Sequence, residues 1–382
     1  MKIALVRQSC QMGGGAEQSV AYLAGELAKE GHEVHLFAHH ITEGDLRGIV
    51  FHRVPIIRGA SVFKVLSFAF YAASLLKKES FDIVHSFERT FYHDLYRAGD
   101  GCHEEWLLSR HRAFPFRRPL DAVSPRHLAI LAMQRQIFTP DCSRRVIANS
   151  MKTKQEIVRH YDYPEDRIAV VYNGVDPDRF HPRNRERLRE PTRAALGLAP
   201  DDLALLFVGS GFERKGLSFC LKGTAQALSR CPQTPLKLIV AGKGNPRSYQ
   251  ALARTLDLHG RVRFVGAWTR MEELYAAADA FVLPTLYDSF ANVTLEAAAA
   301  GLPILTSRQN GASELIEDGR NGLIVSSPTE ISEISGKLSE LFDAARRRAL
   351  GTAAYEMAVQ FPVYRYAQKT IQVYRAIMDE KS

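Results

Sequence analysis

Two carboxylates lie eight positions apart in the segment LPTLYDSFANVTLEAAAAGLPIL, which spans residues 283–305. Asp288 falls in a polar turn, and Glu296 falls inside a short helix that small residues predict from about Asn292 to Ala300. The amino end of a helix attracts phosphate through its unpaired N–H groups and partial positive charge. Carboxylates instead accept hydrogen bonds from sugar hydroxyls. The pair therefore indicates a sugar bound beside a phosphate, and the alternative for Glu296 is a solvated helix residue.

The elements around these carboxylates form a strand–turn–helix–strand unit. Phe281–Leu283 reads as a strand end, Gly301 and Pro303 end the helix, and Ile304–Thr306 is the next strand. This order is the βαβ unit of a parallel sheet. Such sheets bind ligands at the carboxyl ends of their strands, and the turn with Asp288 is predicted there.

The two acids followed by A-x-x-x-G-L-P resemble the E-x7-E motif of family 4 glycosyltransferases, which have the two-domain GT-B fold. Asp288 stands where Glu is usual, and Glu296 matches the second acid. In an enzyme of this kind Asp288 is expected to orient the donor sugar and Glu296 to hold the ribose. The helix start adds the backbone amides of Phe290, Ala291 and Asn292 as candidates for binding the donor diphosphate.

A second candidate loop follows the apolar strand Leu203–Val208 and reads GSGFERKG over residues 209–216. Small residues at a strand end admit a ligand, and Arg214 and Lys215 neutralise a diphosphate. The alternative is a solvated pair at a helix start. In the resembled family this loop often reads V-G-R-x-x-x-K-G. Ser210 occupies the usual Arg position, so Arg214 is expected to supply that charge, and Lys215 matches the Lys.

A glycine-rich loop near the amino terminus joins the strand Ile3–Val6 to a helix predicted from Ser19 to Lys29. It lacks the G-x-G-x-x-G spacing, and no acid ends the next strand, so a dinucleotide site is not supported. A turn without a ligand remains open. The loop also resembles the G-G-x-E sequence of the family, which implies that Gly14 and Gly15 approach the donor phosphates and sugar, with Glu17 as the motif's acid.

Two further strand ends are predicted at the same edge of the sheet, at residues 242–244 and 266–268. The family holds the nucleotide base at the second of these, which makes Gly266 and Trp268 candidates for base binding. A tryptophan packed in the core is the alternative for Trp268.

Asp100 lies between two glycines in the segment RAGDGCHEEWL, residues 97–107. Glycine on both sides suggests a loop that presents the carboxylate. The segment resembles bacterial lipopolysaccharide core glycosyltransferases, the relatives of glucosyltransferase I. This resemblance makes Asp100, and less directly His103, candidates for the acceptor side, and a local turn hydrogen bond is the alternative for each.

Residues 106–135 combine arginines with aromatic side chains and contain a single acid, Asp121. This composition suits an anionic membrane surface or a phosphorylated lipid acceptor, and it also suits single-stranded nucleic acid or a solvated loop. No nucleic-acid-binding signature accompanies it, so nucleic acid is not expected. The family resemblance favours the membrane.

The composition sets broad bounds on the class of protein. A chain of 382 residues is most simply two domains. The net charge of +8 favours anionic partners. The five cysteines are scattered, which predicts reduced thiols and no zinc site. The start shows no signal peptide, and the apolar run from Ala60 to Leu76 is short for a membrane span. We expect a cytoplasmic protein, peripheral on the cytoplasmic face of the inner membrane.

Strands and helices alternate along the whole chain, which predicts an α/β protein with two doubly wound domains. Asn173-Gly174-Val175-Asp176 resembles the interdomain hinge of the family. The predicted amino-terminal, acceptor-side domain covers residues 1–173, with a last helix at 362–382 returning to it. The predicted nucleotide-sugar-binding domain covers residues 174–361. The resemblance implies the GT-B fold, with two Rossmann-like domains facing a central cleft.

The function expected from these features is transfer of a hexose from a nucleotide sugar. The expected donor is UDP-glucose or a related UDP-hexose. The expected acceptor is a lipopolysaccharide core or a similar glycolipid, and the resemblance implies a retaining reaction. Neither a cofactor nor a metal is expected, because the cations of the 209–216 loop can take the diphosphate charge. A monomer is expected. The alternatives are a nucleotide-sugar epimerase, a phosphorylase, or a non-catalytic nucleic-acid- or membrane-binding protein.

Overall fold

The computed structural model describes residues 1–10, 15–41 and 48–382. The chain divides into two compact units, each built on a parallel sheet flanked by helices. The first unit contains Met1–Gly174 and Val363–Ser382, and the second contains Val175–Pro362. This architecture confirms the predicted α/β class with two doubly wound domains.

The first unit has a seven-stranded parallel sheet within the described residues, in the order β5-β3-β1-β6-β7-β8-β9. A two-stranded pair, β2 with β4, lies outside this sheet. The strands are β1 (Lys2–Val6), β2 (Ser9–Cys10), β3 (Glu33–Ala38), β4 (His40–Ile41), β5 (Ile49–Arg53), β6 (Ile83–Ser86), β7 (Leu95–Arg97), β8 (Arg145–Ala148) and β9 (Ile168–Val170). The helices are α1 (Gly15–Lys29), α2 (Ser61–Leu76), α3 (His103–Ala113), α4 (Arg118–Ala122), α5 (Pro125–Ile137), α6 (Met151–Tyr161) and α14 (Val363–Lys381).

The last helix, α14, is part of the core of the first unit. Its apolar side chains pack with those of β1, β3 and β6 in one buried cluster. Tyr374 Oη lies 2.7 Å from His85 Nδ1 in β6, and Lys381 Nζ lies 2.6 Å from Asp94 Oδ1. The chain therefore begins and ends in the same unit, and it crosses between the units at residues 174–175 and 362–363.

The second unit has a six-stranded parallel sheet in the order β12-β11-β10-β13-β14-β15. Its strands are β10 (Leu203–Val208), β11 (Leu236–Ala241), β12 (Val262–Gly266), β13 (Ala280–Leu283), β14 (Ile304–Ser307) and β15 (Leu323–Val325). Its helices are α7 (Asn184–Ala195), α8 (Leu217–Arg230), α9 (Arg247–Thr255), α10 (Met271–Ala277), α11 (Asn292–Ala299), α12 (Ile331–Glu340) and α13 (Ala344–Ala358).

Several element boundaries differ from the predicted ones. Helix α1 begins at Gly15 rather than Ser19, so Gly15 belongs to the first helical turn and not to the loop. Sequence reasoning did not identify β5, whose residues are all partly or largely exposed at the sheet edge. It also did not identify β7, because three residues are too few to show a period.

Parallel pairing brings the ends of the central strands of the second unit to one edge of its sheet. Val208 pairs with Ala241, and Leu283 pairs with Thr306. The loops that start at residues 209, 242, 284 and 308 therefore lie next to each other, as expected for a doubly wound sheet.

Three of these loops touch each other through two glycines. Gly216 has φ +77°, and a Cβ built on it would lie 1.8 Å from the carbonyl oxygen of Pro284. Gly242 has φ +137°, and a Cβ there would lie 2.2 Å from the carbonyl oxygen of Gly209. Neither position tolerates a side chain without moving backbone, so these glycines set how closely the strand ends approach.

Among the residues described by the structure, no helix is both long enough and apolar enough to cross a membrane.

We expect Gly216→Ala to lower the free energy of unfolding by more than about 1–2 kcal/mol, the strain of a left-handed L-residue alone, because its Cβ also clashes with Pro284. The measurement is the melting temperature by scanning calorimetry. Gly336→Ala is the matched control. Gly336 lies in α12, and a Cβ there meets nothing within 4 Å. That variant should gain roughly 0.5–1 kcal/mol, and equal melting temperatures for the two variants would contradict this account of the loop.

Candidate functional site

A buried ion-paired cluster connects two of the loops at the carboxyl edge of the second sheet. Lys215 Nζ lies 2.5 Å from Asp288 Oδ2, and Arg214 Nη1 lies 3.0 Å from the same oxygen. The side chains of Lys215 and Asp288 are 9% and 8% exposed, whereas Arg214 is 38% exposed. The structure thus brings together three of the predicted site residues, and the partner of the two cations is the protein's own carboxylate.

The electrostatics of this cluster follow from two cations sharing one carboxylate. Burial by itself raises the pKa of Asp288, but the charges of Lys215 and Arg214 outweigh burial and leave that pKa below its ordinary value. Burial lowers the pKa of Lys215, and the pull of Asp288 does not fully offset burial and the nearby Arg214 charge. The cluster carries a net positive charge, which suits binding of an anion.

Backbone contacts fix the loop that carries Arg214. The carbonyl oxygen of Arg214 accepts hydrogen bonds from the backbone N–H of Leu286 at 2.8 Å and from the Thr285 hydroxyl at 2.9 Å. The carbonyl oxygen of Thr285 in turn accepts from the Ser307 hydroxyl at 2.6 Å. The loops after β10, β13 and β14 are therefore tied together by the protein's own hydrogen bonds.

Asn310 holds the turn before α11 in place. It is fully buried, and its Oδ1 accepts from the backbone N–H of Ala291 at 3.0 Å and of Ala312 at 3.1 Å. Its Nδ2 donates to the hydroxyls of Thr294 and Thr306, both at 3.0 Å. All these atoms lie inside the unit, so the amide of Asn310 acts as an internal clamp for the turn.

The amides at the start of α11 are partly engaged within the protein. The N–H of Phe290 donates to Asp288 Oδ1 at 3.2 Å, and the N–H of Ala291 donates to Asn310 Oδ1. Asn292 and Val293, the first two residues of the helix, are half-exposed. A phosphate would have to displace Asp288 or Asn310 to use the N–H groups of Phe290 or Ala291.

Glu296 is buried in α11, 8% exposed, and is not a solvated helix residue. Its Oε2 accepts a hydrogen bond from the hydroxyl of Tyr275, in α10, at 2.8 Å. Burial raises the pKa of Glu296, and the Tyr275 hydrogen bond and the Arg179 charge only partly oppose that effect. Its Oε1 has no donor among the residues that the structure describes, so it is the oxygen available to a hydroxyl ligand.

The base-binding candidates lie at the end of β12. Gly266 is exposed with φ +70°, and Trp268 is half-buried. The indole Nε1 of Trp268 donates to Glu273 Oε2 at 3.0 Å, which holds one edge of the ring and leaves part of it in solvent. In the first unit, Gly15 is the first residue of α1, while the predicted Gly14 lies outside the described residues.

Asp100 follows β7 at the carboxyl edge of the first sheet, and its side chain is 58% exposed. Its Oδ2 lies 2.9 Å from Arg89 Nη1. Glu88 lies next to Arg89 in sequence, accepts from the backbone N–H of Gln8 at 3.3 Å and lies 3.4 Å from Arg7 Nε. Burial raises the pKa of Glu88 even with Arg7 beside it. The acceptor-side candidate Asp100 therefore has a second carboxylate near it that the sequence did not indicate.

The predicted acceptor-side residue His103 is turned into the protein. Its Nε2 lies 2.9 Å from His127 Nδ1, and burial lowers the pKa of His103 to about 3. Asp121, the single acid of residues 106–135, is buried and binds Arg110 at 2.7 Å and His111 at 3.1 Å. Arg110 thus stabilises the helical segment itself and is not part of an open basic surface.

Two family models match the chain. The model for Glycosyltransferase Family 4 matches residues 13–179, and the model for Glycosyl transferases group 1 matches residues 202–343. Each match covers most of one doubly wound unit, and the chain belongs to this family of glycosyltransferases. It is an enzyme of that class, as the E-x7-E-like motif predicted.

Relatives at full length support the same assignment. The lipopolysaccharide glucosyltransferase WaaG of Escherichia coli is 26% identical over 368 residues, 96% of each chain. A crystal structure of WaaG matches with a TM-score of 0.85 at 24% identity, over 97% of this chain and 99% of that one. The match confirms the predicted GT-B fold.

Two other relatives differ in coverage. D-inositol 3-phosphate glycosyltransferase 2 of Catenulispora acidiphila is 35% identical over 251 residues, 63% of this chain, and the match spans 58% of that relative's length. A crystal structure of Anabaena HepE in complex with UDP and glucose matches with a TM-score of 0.74 at 18% identity, over 98% of this chain and 100% of that one.

Three residues of the site were not identified from the sequence: Tyr275, Asn310 and Glu88. Tyr275 and Asn310 act through contacts with residues 21 and 19 positions away, respectively. An asparagine just after a buried strand is a weak signal for a clamp, and Glu88 gave no signal beyond its place after a strand.

We expect Glu296→Gln to raise the melting temperature of the unliganded protein at neutral pH. Because the folded pKa of Glu296 lies above its ordinary value of 4.5, the ionised carboxylate costs stability, and this cost grows as pH rises through the folded pKa. The gain should vanish as pH falls below 4.5, where the group is protonated in both states. Thermal melts across this pH range, with the exposed Glu356→Gln as control, check the prediction. A pH-independent difference between Glu296→Gln and wild type would contradict it.

Proposed function

We propose that this glycosyltransferase moves a hexose from a UDP-sugar, UDP-glucose or a related UDP-hexose, to a lipopolysaccharide-core or similar glycolipid acceptor. The observation that carries the proposal is the buried cluster of Lys215, Arg214 and Asp288 at the carboxyl edge of the second sheet. Its support from relatives is the full-length similarity to the lipopolysaccharide glucosyltransferase WaaG and the HepE complex with UDP and glucose.

The donor diphosphate binds, in this proposal, beside Lys215 and Arg214. Both cations are already held at one oxygen of Asp288, so little reorganisation is needed when negative charge grows on the leaving UDP. Neither a metal nor a cofactor is part of the proposal, because two cations and the start of α11 supply the positive charge. Asp288 keeps the cations in place and orients the donor sugar.

The nucleoside part of the donor is assigned to two other residue groups. Glu296 Oε1 accepts from a ribose hydroxyl while Tyr275 holds Oε2. The exposed backbone at Gly266 and the half-buried ring of Trp268 receive the base. On the acceptor side Asp100 contacts the acceptor hydroxyl, and retention is the proposed stereochemical outcome, following the resemblance to family 4 enzymes.

The first test is thermal stabilisation by UDP, ADP, GDP and a panel of UDP-sugars, without added metal. A ligand that binds the native state raises the melting temperature. At a ligand concentration 100 times the dissociation constant, the free energy of unfolding increases by about 2.7 kcal/mol. We expect UDP to stabilise the wild type and Lys222→Ala, whose exposed lysine lies in α8. Lys215→Ala and the less buried Arg214→Ala should lose the shift, and turnover should fall roughly 10²–10³-fold.

The outcomes of this test separate the parts of the proposal. Wild-type turnover in Lys215→Ala would contradict the diphosphate assignment. No shift with any nucleotide would contradict the donor class. A shift with UDP followed by transfer to an inositol phosphate, and none to a lipid A–core acceptor, would move the acceptor away from lipopolysaccharide. The anomeric configuration of the product, read by NMR, decides retention against inversion.

We also propose that the protein acts as a monomer at the cytoplasmic face of the inner membrane, through the segment 106–135. Phe116, Leu120 and Val123 are 67%, 60% and 72% exposed around the short helix α4. Arg118 and Arg126 are exposed beside them. Membrane-binding surfaces combine apolar side chains, which enter the interface, with cations, which contact anionic headgroups.

We expect the double variant Phe116→Ser, Leu120→Ser to bind vesicles containing anionic lipid at least about tenfold more weakly, since each apolar side chain that is fully buried contributes about 1.5–3 kcal/mol. Vesicle co-sedimentation measures the effect. Phe70→Ser is the matched control, because Phe70 is 68% exposed, like Phe116, but lies in α2. An equal loss in both variants would contradict docking through 106–135, and so would no loss in the double variant.

A further inference from the structure

Three potential metal ligands of the first unit lie together although they come from separate elements. His35 is in β3, His52 is in the edge strand β5, and Glu79 follows α2. One ligand atom from each lies within 4.8 Å of the others, and among the residues the structure describes this is the one such group of three. His35 and His52 lie within strands, so the cluster is not part of the loops assigned to the acceptor.

The two imidazoles point at each other. His35 Nδ1 lies 2.7 Å from His52 Nε2, while His35 Nε2 lies 2.9 Å from Glu33 Oε1. A carboxylate beside Nε2 keeps the His35 proton on that nitrogen, so the lone pair of His35 is on Nδ1 and faces His52. This carboxylate–histidine arrangement orients metal-binding histidines in many sites.

We propose that His35, His52 and Glu79 bind a divalent transition-metal ion, with Zn²⁺ the best match to the ligand types. Two imidazoles and one carboxylate form a common zinc ligand set, with water in the fourth position. Imidazole nitrogen disfavours Ca²⁺ and Mg²⁺, which take oxygen ligands. Glu33 is the orienting residue and does not coordinate the ion.

The cluster needs only small movements to accept the ion. Ligand atoms around tetrahedral Zn²⁺ lie about 3.3 Å apart, given bond lengths of about 2.0–2.1 Å. The two imidazoles therefore separate slightly, and His52 moves its proton from Nε2 to Nδ1, so no proton is lost. Glu79 is exposed and its side chain can swing inward.

Charge and packing also favour a cation here. Lys2 Nζ lies 3.1 Å from Glu79 Oε2 and 3.2 Å from Glu33 Oε1. One positive charge therefore faces two negative charges, and the surroundings of the site keep a net negative charge. The other Glu79 oxygen is the one assigned to the ion. The ring of His52 stacks on Phe37, with ring centroids 4.3 Å apart, which fixes its plane. Bound metal would join the edge strand β5 to β3 and to the end of α2.

The test uses the full chain without an affinity tag, freed of metal by a chelator that is then removed. Zn²⁺ titration by calorimetry should give one ion per chain and a higher melting temperature, and Co²⁺ should show the visible absorption of a tetrahedral site. His52→Gln and Glu79→Gln should bind at least tenfold more weakly. Glu33→Gln should lose roughly 10–100-fold, as expected for an orienting carboxylate.

His259→Ala is the control, because His259 is exposed and distant in sequence from the cluster. It should bind Zn²⁺ like the wild type. Glu79→Gln keeps the test independent of folding, since Glu79 is on the surface. Absence of stoichiometric binding in the wild type, or equal affinity in wild type, His52→Gln and Glu79→Gln, would overturn the proposal. Neither result bears on UDP binding, so the donor assignment is judged separately.

Discussion

The second unit depends on one constraint: Lys215 must be buried against Asp288. A buried lysine is costly unless a carboxylate meets it, and removing one partner of such a pair typically costs about 3–5 kcal/mol. Because Lys215 follows β10 and Asp288 follows β13, the ion pair draws two strand-end loops together. Gly216 permits this approach by having no Cβ against Pro284. The same contact thus shapes the loops and leaves a surplus positive charge beside them.

Two further buried polar side chains, Asn310 after β14 and Glu296 in α11, lie near this pair in the chain's fold. Asn310 makes four hydrogen bonds, which connect Ala291 in the turn before α11 with Thr294, Thr306 and Ala312. One oxygen of Glu296 accepts a hydrogen bond from Tyr275, and burial disfavours the ionised form of this carboxylate. A carboxylate kept where its charge is disfavoured is typical of a functional site. Binding a hydroxyl ligand would offset part of that burial.

The first unit is organised differently. Its arginine-rich segment folds around Asp121, which takes Arg110 and His111 inward, while Phe116, Leu120 and Val123 remain outside. A composition of cations and aromatics therefore separates into an internal polar cluster and an exposed apolar surface. The pairing of His35 with His52 is equally a product of folding, since it joins β3 to an edge strand whose sequence did not show a clear period.

The sequence by itself determined the fold class and the order of glycine-bearing strand ends, because hydrophobic periodicity and local turn chemistry are properties of short segments. The glycosyltransferase family followed from the resemblance of the motif around Asp288 and Glu296 to a known family. The sequence also predicted that Lys215 and Asp288 lie in strand-end loops and that Glu296 lies in the helix after the second of these loops. Only the tertiary structure decided that Asp288 pairs with both cations and that Tyr275, Asn310 and Glu88 belong beside the predicted residues. It also turned His103 toward His127. These outcomes depend on contacts between residues far apart in the chain, and on burial, which no local pattern encodes.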